Sequence, residues 1–207
     1  MLPARLALIA DRFTEPDRAE RALAAARAGI RWVHLRDHEA SLDVFDRAAR
    51  RLIRELWEVS NAIGISVNTQ LNVAVSLGVH VHLGRRGPSV GVARQHVSTD
   101  TLIGYSAHDE IEVQGDRSSD ADYFFFSPVY PTSSKPDHQG TGVAALESFC
   151  TVAHPRPVLA LGGITPERIP DCRRAGAYGA AVLSGIMDAA APQAAARAYL
   201  RALASPV

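Results

Sequence analysis

The chain carries a single lysine, Lys135, although 22 of its residues are lysine or arginine. That one compact ammonium lies in the longest irregular stretch, Ser127–Gly140, close to the hydroxyls of Thr132 and Ser134. Two hydroxyls and a cation are a fitting set for the oxygens of a diphosphate, and long loops in compact domains tend to be functional. The plain alternative is a proline-stiffened surface lid. A second pattern runs through the whole sequence. Each short apolar run ends in a small or polar residue: Asp11, Arg36, Asn68, Gly84, Ser106, Ser127, Gly162–Gly163 and Ser184–Gly185. Singly, such residues suit helix starts: Asn68 reads as an N-cap, Ser106-Ala-His-Asp109 as a capping box and Thr165-Pro166 as a cap with proline behind it. As a set they suit anion binding, because backbone N–H groups at glycines and helix starts donate hydrogen bonds to phosphate oxygens. Proton transfer near neutral pH falls to histidine, with His138 and His108 as the candidates. His34, His80 and His82 sit inside apolar runs without a convergent carboxylate, which points to hydrogen-bonded core groups and to no metal site.

These residues need elements to hold them. Apolar runs at Leu6–Ala10, Trp32–Leu35, Ile63–Val67, Val79–Leu83, Leu102–Tyr105, Tyr123–Phe126, Val158–Leu161 and Ala180–Leu183 read as strands. Between them come helical patterns at Asp17–Ala28, Leu42–Ser60, Gln70–Leu77, Glu110–Arg117, Val143–Ala153, Pro166–Ala175 and Asp188–Ala204, with a stunted helix in Ser89–Ser98. Gly29, Gly64, Gly78, Gly176 and Gly179 precede strands and are expected to close helices in the left-handed conformation. Unbroken alternation predicts the α/β class: one (β/α)8 TIM-barrel domain over residues 1–207. No Gly-x-Gly-x-x-Gly follows the first run, which weighs against an open doubly wound sheet. In such a barrel the loops after the strands form the active face, and those after the seventh and eighth strands frequently bind phosphate. Gly162, Gly163, Ser184 and Gly185 occupy those two places.

Composition bounds the partners. Acidic and basic residues balance at 22 each, so no global field favours nucleic acid or an anionic membrane. A phosphorylated small molecule is the expected partner, and the sequence leaves a homo-oligomer open. The two cysteines, Cys150 and Cys172, lack metal-ligand spacing, which suits a reducing cytoplasm. No apolar run approaches a membrane-spanning length.

The chain resembles the superfamily of thiamin phosphate synthases and thiazole tautomerases, small (β/α)8 barrels. The carriers are His34-Leu-Arg36, Ile65-Ser-Val-Asn68, Val81-His-Leu-Gly84, Ile103-Gly-Tyr-Ser106, Ser127-Pro-Val-Tyr-Pro-Thr132, Leu161-Gly-Gly-Ile164 and Ser184-Gly-Ile186. The resemblance implies diphosphate binding by Arg36, Asn68, Ser106, Thr132, Ser134 and Lys135, and thiazole-phosphate binding by Gly162, Gly163, Ser184 and Gly185. Departures are equally informative. Where the synthase pattern has Asn-Asp-Asp, this chain has Asn68-Thr69-Gln70, and Gly-Gln-Glu-Asp becomes Gly84-Arg85-Arg86-Gly87. The two carboxylates that would hold Mg²⁺ are thus replaced by Thr69 and Gly87, and the usual lysine after the strand-two arginine is His38. The tautomerase branch's histidine falls on Pro128. The reading is a tautomerase-like barrel acting on a thiazole carboxylate phosphate, without a cofactor. A second reading is a synthase, the one case in which Mg²⁺ would enter, with Arg85 and Arg86 taking over part of the metal's charge. A third is a non-catalytic binder of thiamin phosphate or its precursors.

Overall fold

The computed structural model describes residues 1–132 and 139–205. Its elements are β1 (Leu6–Asp11), α1 (Pro16–Arg27), β2 (Trp32–Arg36), α2 (Leu42–Val59), β3 (Gly64–Asn68), α3 (Leu71–Leu77), β4 (His80–Leu83), α4 (Val90–Arg94), β5 (Ile103–Ala107), α5 (Ile111–Gln114), β6 (Tyr123–Phe126), α6 (Val143–Ala153), β7 (Val158–Leu161), α7 (Ile169–Arg174), β8 (Gly179–Val182), α8 (Ser184–Met187) and α9 (Pro192–Ala204). The eight strands pair in parallel and in sequence order, and β8 returns to β1 to close the barrel. The expected (β/α)8 architecture is the observed one.

Two-residue periodicity sorts the side chains. Ala7, Ile9, Trp32, Tyr123, Phe125, Leu159 and Ala181 point inward and fill the barrel, while Leu6, Leu8, Val33 and Leu35 face the surrounding helices. The helices answer with apolar stripes: α2 buries Phe45, Ala49, Leu52, Ile53 and Leu56, all on one face.

The helix-to-strand joints divide into two kinds. At Gly29, Gly78 and Gly176 φ is +115°, +64° and +89°. The next residue's amide reaches back five positions to close each helix, as in Ile30 to Ala25, Val79 to Ala74 and Ala177 to Cys172. Gly64 and Gly179 are not caps, contrary to expectation; they lie within strands. A Cβ at Gly64 would sit 2.5 Å from Pro3, and one at Gly179 would collide with the carbonyl of Arg5, which accepts the amide of Ala180 at 2.9 Å. Both glycines therefore make room for the segment that seals the bottom of the barrel.

Other boundaries shift for local reasons. The last helix starts at Pro192 rather than at Asp188, and Ser184–Met187, ahead of the expected pattern, forms a separate helical turn after β8. The pattern at 166–175 opens with a 3-10 turn, Pro166–Arg168, before α7, and Thr165 makes no side-chain cap. The capping box after β5 is built three residues along: Asp109 Oδ1 accepts the amide of Glu112, and Glu112 accepts the amide of His108.

Candidate active site

The carboxyl ends of the strands surround a cleft of about 420 Å³, a size ordinary for small-molecule sites. Arg36, Asn68 and Ser106 reach its wall from β2, β3 and β5, and His108 borders it just beyond β5. Thr132, Gly162 and Gly163 line it after β6 and β7, and Ser184 and Gly185 after β8. Ser134, Lys135 and His138 lie outside the described residues. The structure also brings in residues that sequence reasoning noted without placing: His38, Arg85 and Arg86 all line the same cleft.

A layer of buried polar groups supports the floor. His82 spans two hydroxyls, with Nδ1 3.1 Å from Tyr123 Oη and Nε2 2.9 Å from Ser106 Oγ. Burial, with His34 alongside, holds its pKa well below the ordinary value, so the ring stays neutral and has one N–H and one lone pair to share. Ser66 Oγ accepts Trp32 Nε1–H at 3.0 Å and lies 3.0 Å from His34 Nδ1. Burial, reinforced by Arg36, pushes His34 down to about 3. Gly104 leaves the space this layer needs, since a Cβ there would overlap Tyr123 and His82. His34 and His82 are core groups, as their place in apolar runs implies.

Around the rim, charge is committed unevenly. Arg36 Nε donates to Asp11 at 2.8 Å, and both side chains are about a quarter exposed or less. Arg85 pairs with Glu112 at 2.5 Å and approaches Asp109 at 3.6 Å. Arg86 has no ion pair among the described residues. His38 is lowered by partial burial first and then by Arg36, with Arg86 acting in the same direction and Asp11 and Asp37 opposing them, so its imidazole stands among two guanidiniums and two carboxylates and favours its neutral form. Asp37 holds the intervening loop, accepting the amides of Glu39 and Ala40 and the hydroxyl of Thr14 at 2.6 Å. At His108, Nδ1 lies 2.6 Å from the carbonyl of Ser127, so the proton belongs on Nδ1 and a neutral ring leaves Nε2 as its acceptor.

The glycines after β7 have a reason besides ligand approach. Gly162 has φ +93° and a Cβ would stand 2.7 Å from Pro128; Gly163 has φ +62° and a Cβ would overlap the carbonyl of Pro131. Gly185 lies against the phenol of Tyr199, which donates to the carbonyl of Ile164 at 2.8 Å. Among the described residues, the amides of Gly163, Ser184 and Gly185 have no backbone or side-chain acceptor. Tyr199 was invisible as a site support, being one aromatic in an alanine-rich helix. Arg18 was hidden too: buried, it bonds Asp11 O, Met187 O and Asp188 beneath the rim, but nothing sets it apart among so many arginines.

Comparison with known proteins identifies the lineage. The family profile of thiamine monophosphate synthase matches residues 6–186. The chain belongs to the thiamine monophosphate synthase family. A thiamine-phosphate synthase of Mycobacterium bovis is 35% identical over 211 residues, covering 97% of this chain and 95% of its own. Another, from Mycobacterium sp. strain KMS, is 32% identical, covering 91% and 87%. The solved structure of a thiamine phosphate pyrophosphorylase from Pyrococcus furiosus superposes with a TM-score of 0.82 at 23% identity, covering 97% of this chain and 96% of that one, a likeness of fold. The names of these relatives favour the synthase reading over the tautomerase one. No helix among the described residues is long and apolar enough to cross a membrane.

The resemblance implies a metal-binding corner at Thr69 and Gly87. Thr69 and Gly87, which stand where the pattern has carboxylates, face each other: a Cβ at Gly87 would be 3.2 Å from the Thr69 methyl. Thr69 has φ +62°, unusual for a β-branched residue. Among the described residues no Asp or Glu lines the cleft, and no cluster of three or more His, Cys, Asp or Glu could hold a metal. Mg²⁺ takes hard oxygen ligands with one or two carboxylates, and this donor set does not fit it.

Proposed function

We propose that the chain is a thiamin phosphate synthase, transferring an aminopyrimidine methyl group from diphosphate to the ring nitrogen of a thiazole phosphate. The observation that carries this reading is the cleft itself: a described wall with three arginines, two histidines and no carboxylate, matched to two phosphate-bearing substrates. Its place at the strand ends of a barrel from this family, and the names of relatives spanning nearly the whole chain, favour the coupling reaction over isomerisation. In the reaction the C–O bond to diphosphate breaks with both electrons leaving on oxygen, and the thiazole nitrogen lone pair forms the new C–N bond. The nitrogen carries no proton, so coupling asks no general base of the protein. What the chain must supply is orientation and countercharge. The amides of Gly163, Ser184 and Gly185, which have no acceptor among the described residues, suit the thiazole phosphate, and Arg36, Asn68 and Ser106 suit the departing diphosphate's end of the cleft.

The test is direct. Purified protein is given both substrates, and thiamin phosphate is read after oxidation to its fluorescent thiochrome. Formation of product supports the reading. Isomerisation of a thiazole carboxylate phosphate without coupling would instead establish the tautomerase-like reading, with His108 Nε2 as the proton acceptor. Binding of thiamin phosphate with neither activity would establish a non-catalytic binder.

A further inference from the structure

An oligophosphate brings several negative charges into the cleft, and something must neutralise them. A divalent cation would need carboxylates, yet the described wall of the cleft contains none. What the wall contains is cationic. Arg85 is paired with Glu112 and Asp109, and Arg36 with Asp11, so each carries its countercharge with it even where it can still donate a hydrogen bond. Arg86 is left uncommitted, exposed at the rim, with no ion pair among the described residues.

Its position is not accidental. Gly84–Gly87 is a tight turn, closed by the amide of Gly87 on the carbonyl of Gly84 at 3.1 Å and held from outside by Arg117, which donates to the carbonyl of Gly87. Arg85 and Arg86 are the two central residues of that turn. Glu112 draws the first outward to α5, and the second remains to the cleft. His38 lines the same cleft as Arg86, with Arg36 and the carboxylates of Asp11 and Asp37 also near its ring. A planar guanidinium meets phosphate oxygens with two parallel hydrogen bonds, and a neutral imidazole beside it can donate one more.

We infer that Arg86, assisted by His38, takes the place of a metal ion as the countercharge for a diphosphate, so that this cleft binds the anion without a divalent cation. The inference deepens the synthase reading by naming how the leaving group is held, but it is a statement about anion binding and stands apart from turnover.

Inorganic pyrophosphate is the probe, titrated calorimetrically into the full chain, first in EDTA and then with Mg²⁺ in excess. Saturable binding in EDTA is expected, weakened or unchanged by Mg²⁺. Arg86→Gln should lower affinity about tenfold, the loss of one charge-assisted contact. Arg54→Gln, an exposed substitution on α2 away from the cleft, should change it by less than about threefold. Circular dichroism melts of both variants report that the exposed substitutions leave the fold intact. Binding that requires Mg²⁺, or an Arg86→Gln variant that binds like the parent, overturns the inference. Pyrophosphate binding in EDTA by a protein that makes no thiamin phosphate would sustain the inference while refuting the synthase reading. Turnover strictly dependent on Mg²⁺, together with Mg²⁺-dependent binding, would do the reverse.

Discussion

Acidification should unfold this protein through its barrel floor, and the effect is calculable. His34 is 2% exposed and is held neutral by burial, with a pKa of about 3 in the folded chain. Unfolded, the same imidazole titrates near 6.5. Between those values the unfolded state binds the extra proton, so stability rises with pH and is lost as pH falls from about 6.5 towards 3. At about pH 5 the loss from His34 alone is on the order of 2 kcal/mol relative to neutral pH. That is a large share of a typical folding free energy of roughly 5–15 kcal/mol. His82 is displaced in the same direction and adds to the slope. Urea denaturation followed by circular dichroism at pH 7 and pH 5 measures the loss, and His34→Gln, which can still hydrogen-bond Ser66, should flatten the dependence. An unchanged urea midpoint between the two pH values, or an undiminished slope in the variant, would refute the claim that a neutral, buried imidazole sets the acid limit.

Three further outcomes are expected. Gly104→Ala should destabilise by roughly 1–3 kcal/mol, seen as a lower melting temperature, because its methyl would overlap Tyr123 and His82. Gly163→Ala should cost stability even without ligand, since its methyl meets the carbonyl of Pro131 and φ is +62°. A melting temperature equal to the parent's would contradict the tight packing of that loop. Tyr199→Phe should cost about 1–2 kcal/mol by stranding the buried carbonyl of Ile164, and should weaken thiazole-phosphate binding through the displaced loops; calorimetry and chemical denaturation check the two effects separately.

The barrel was legible because eight apolar runs, each ending in a small or polar residue, repeat one unit that only a closed parallel sheet satisfies. The Gly-bearing joints at 28–30, 77–79 and 175–177 were equally plain, since each needs a left-handed residue. Gly64 and Gly179 misled: a glycine demanded by a neighbour from the far end of the chain looks like one demanded by its own dihedral. Strand-end position was enough to put Arg36, Asn68, Ser106 and the two glycine-bearing loops on the wall of one cleft. Their commitments were not readable. Nothing local tells that Asp11 spends Arg36, or that Glu112 separates the roles of Arg85 and Arg86. Those are distances between elements. The comparisons also moved the reaction from isomerisation, first favoured because Thr69 and Gly87 replace carboxylates, towards coupling.

One consequence of the barrel floor concerns the kind of ligand edge the cleft accepts. His82 is neutral, and its two nitrogens are flanked by hydroxyls that each donate or accept. With the ring proton on Nε2, Ser106 receives it and turns its own hydrogen to the cleft, where an acceptor such as a phosphate oxygen can take it. With the proton on Nδ1, Ser106 gives its hydrogen to the imidazole and shows the cleft only lone pairs, which suits a donor. The exchange moves hydrogens alone, leaves every heavy atom where it stands and creates no charge. The floor is thus an ambidextrous surface whose polarity is chosen by the guest.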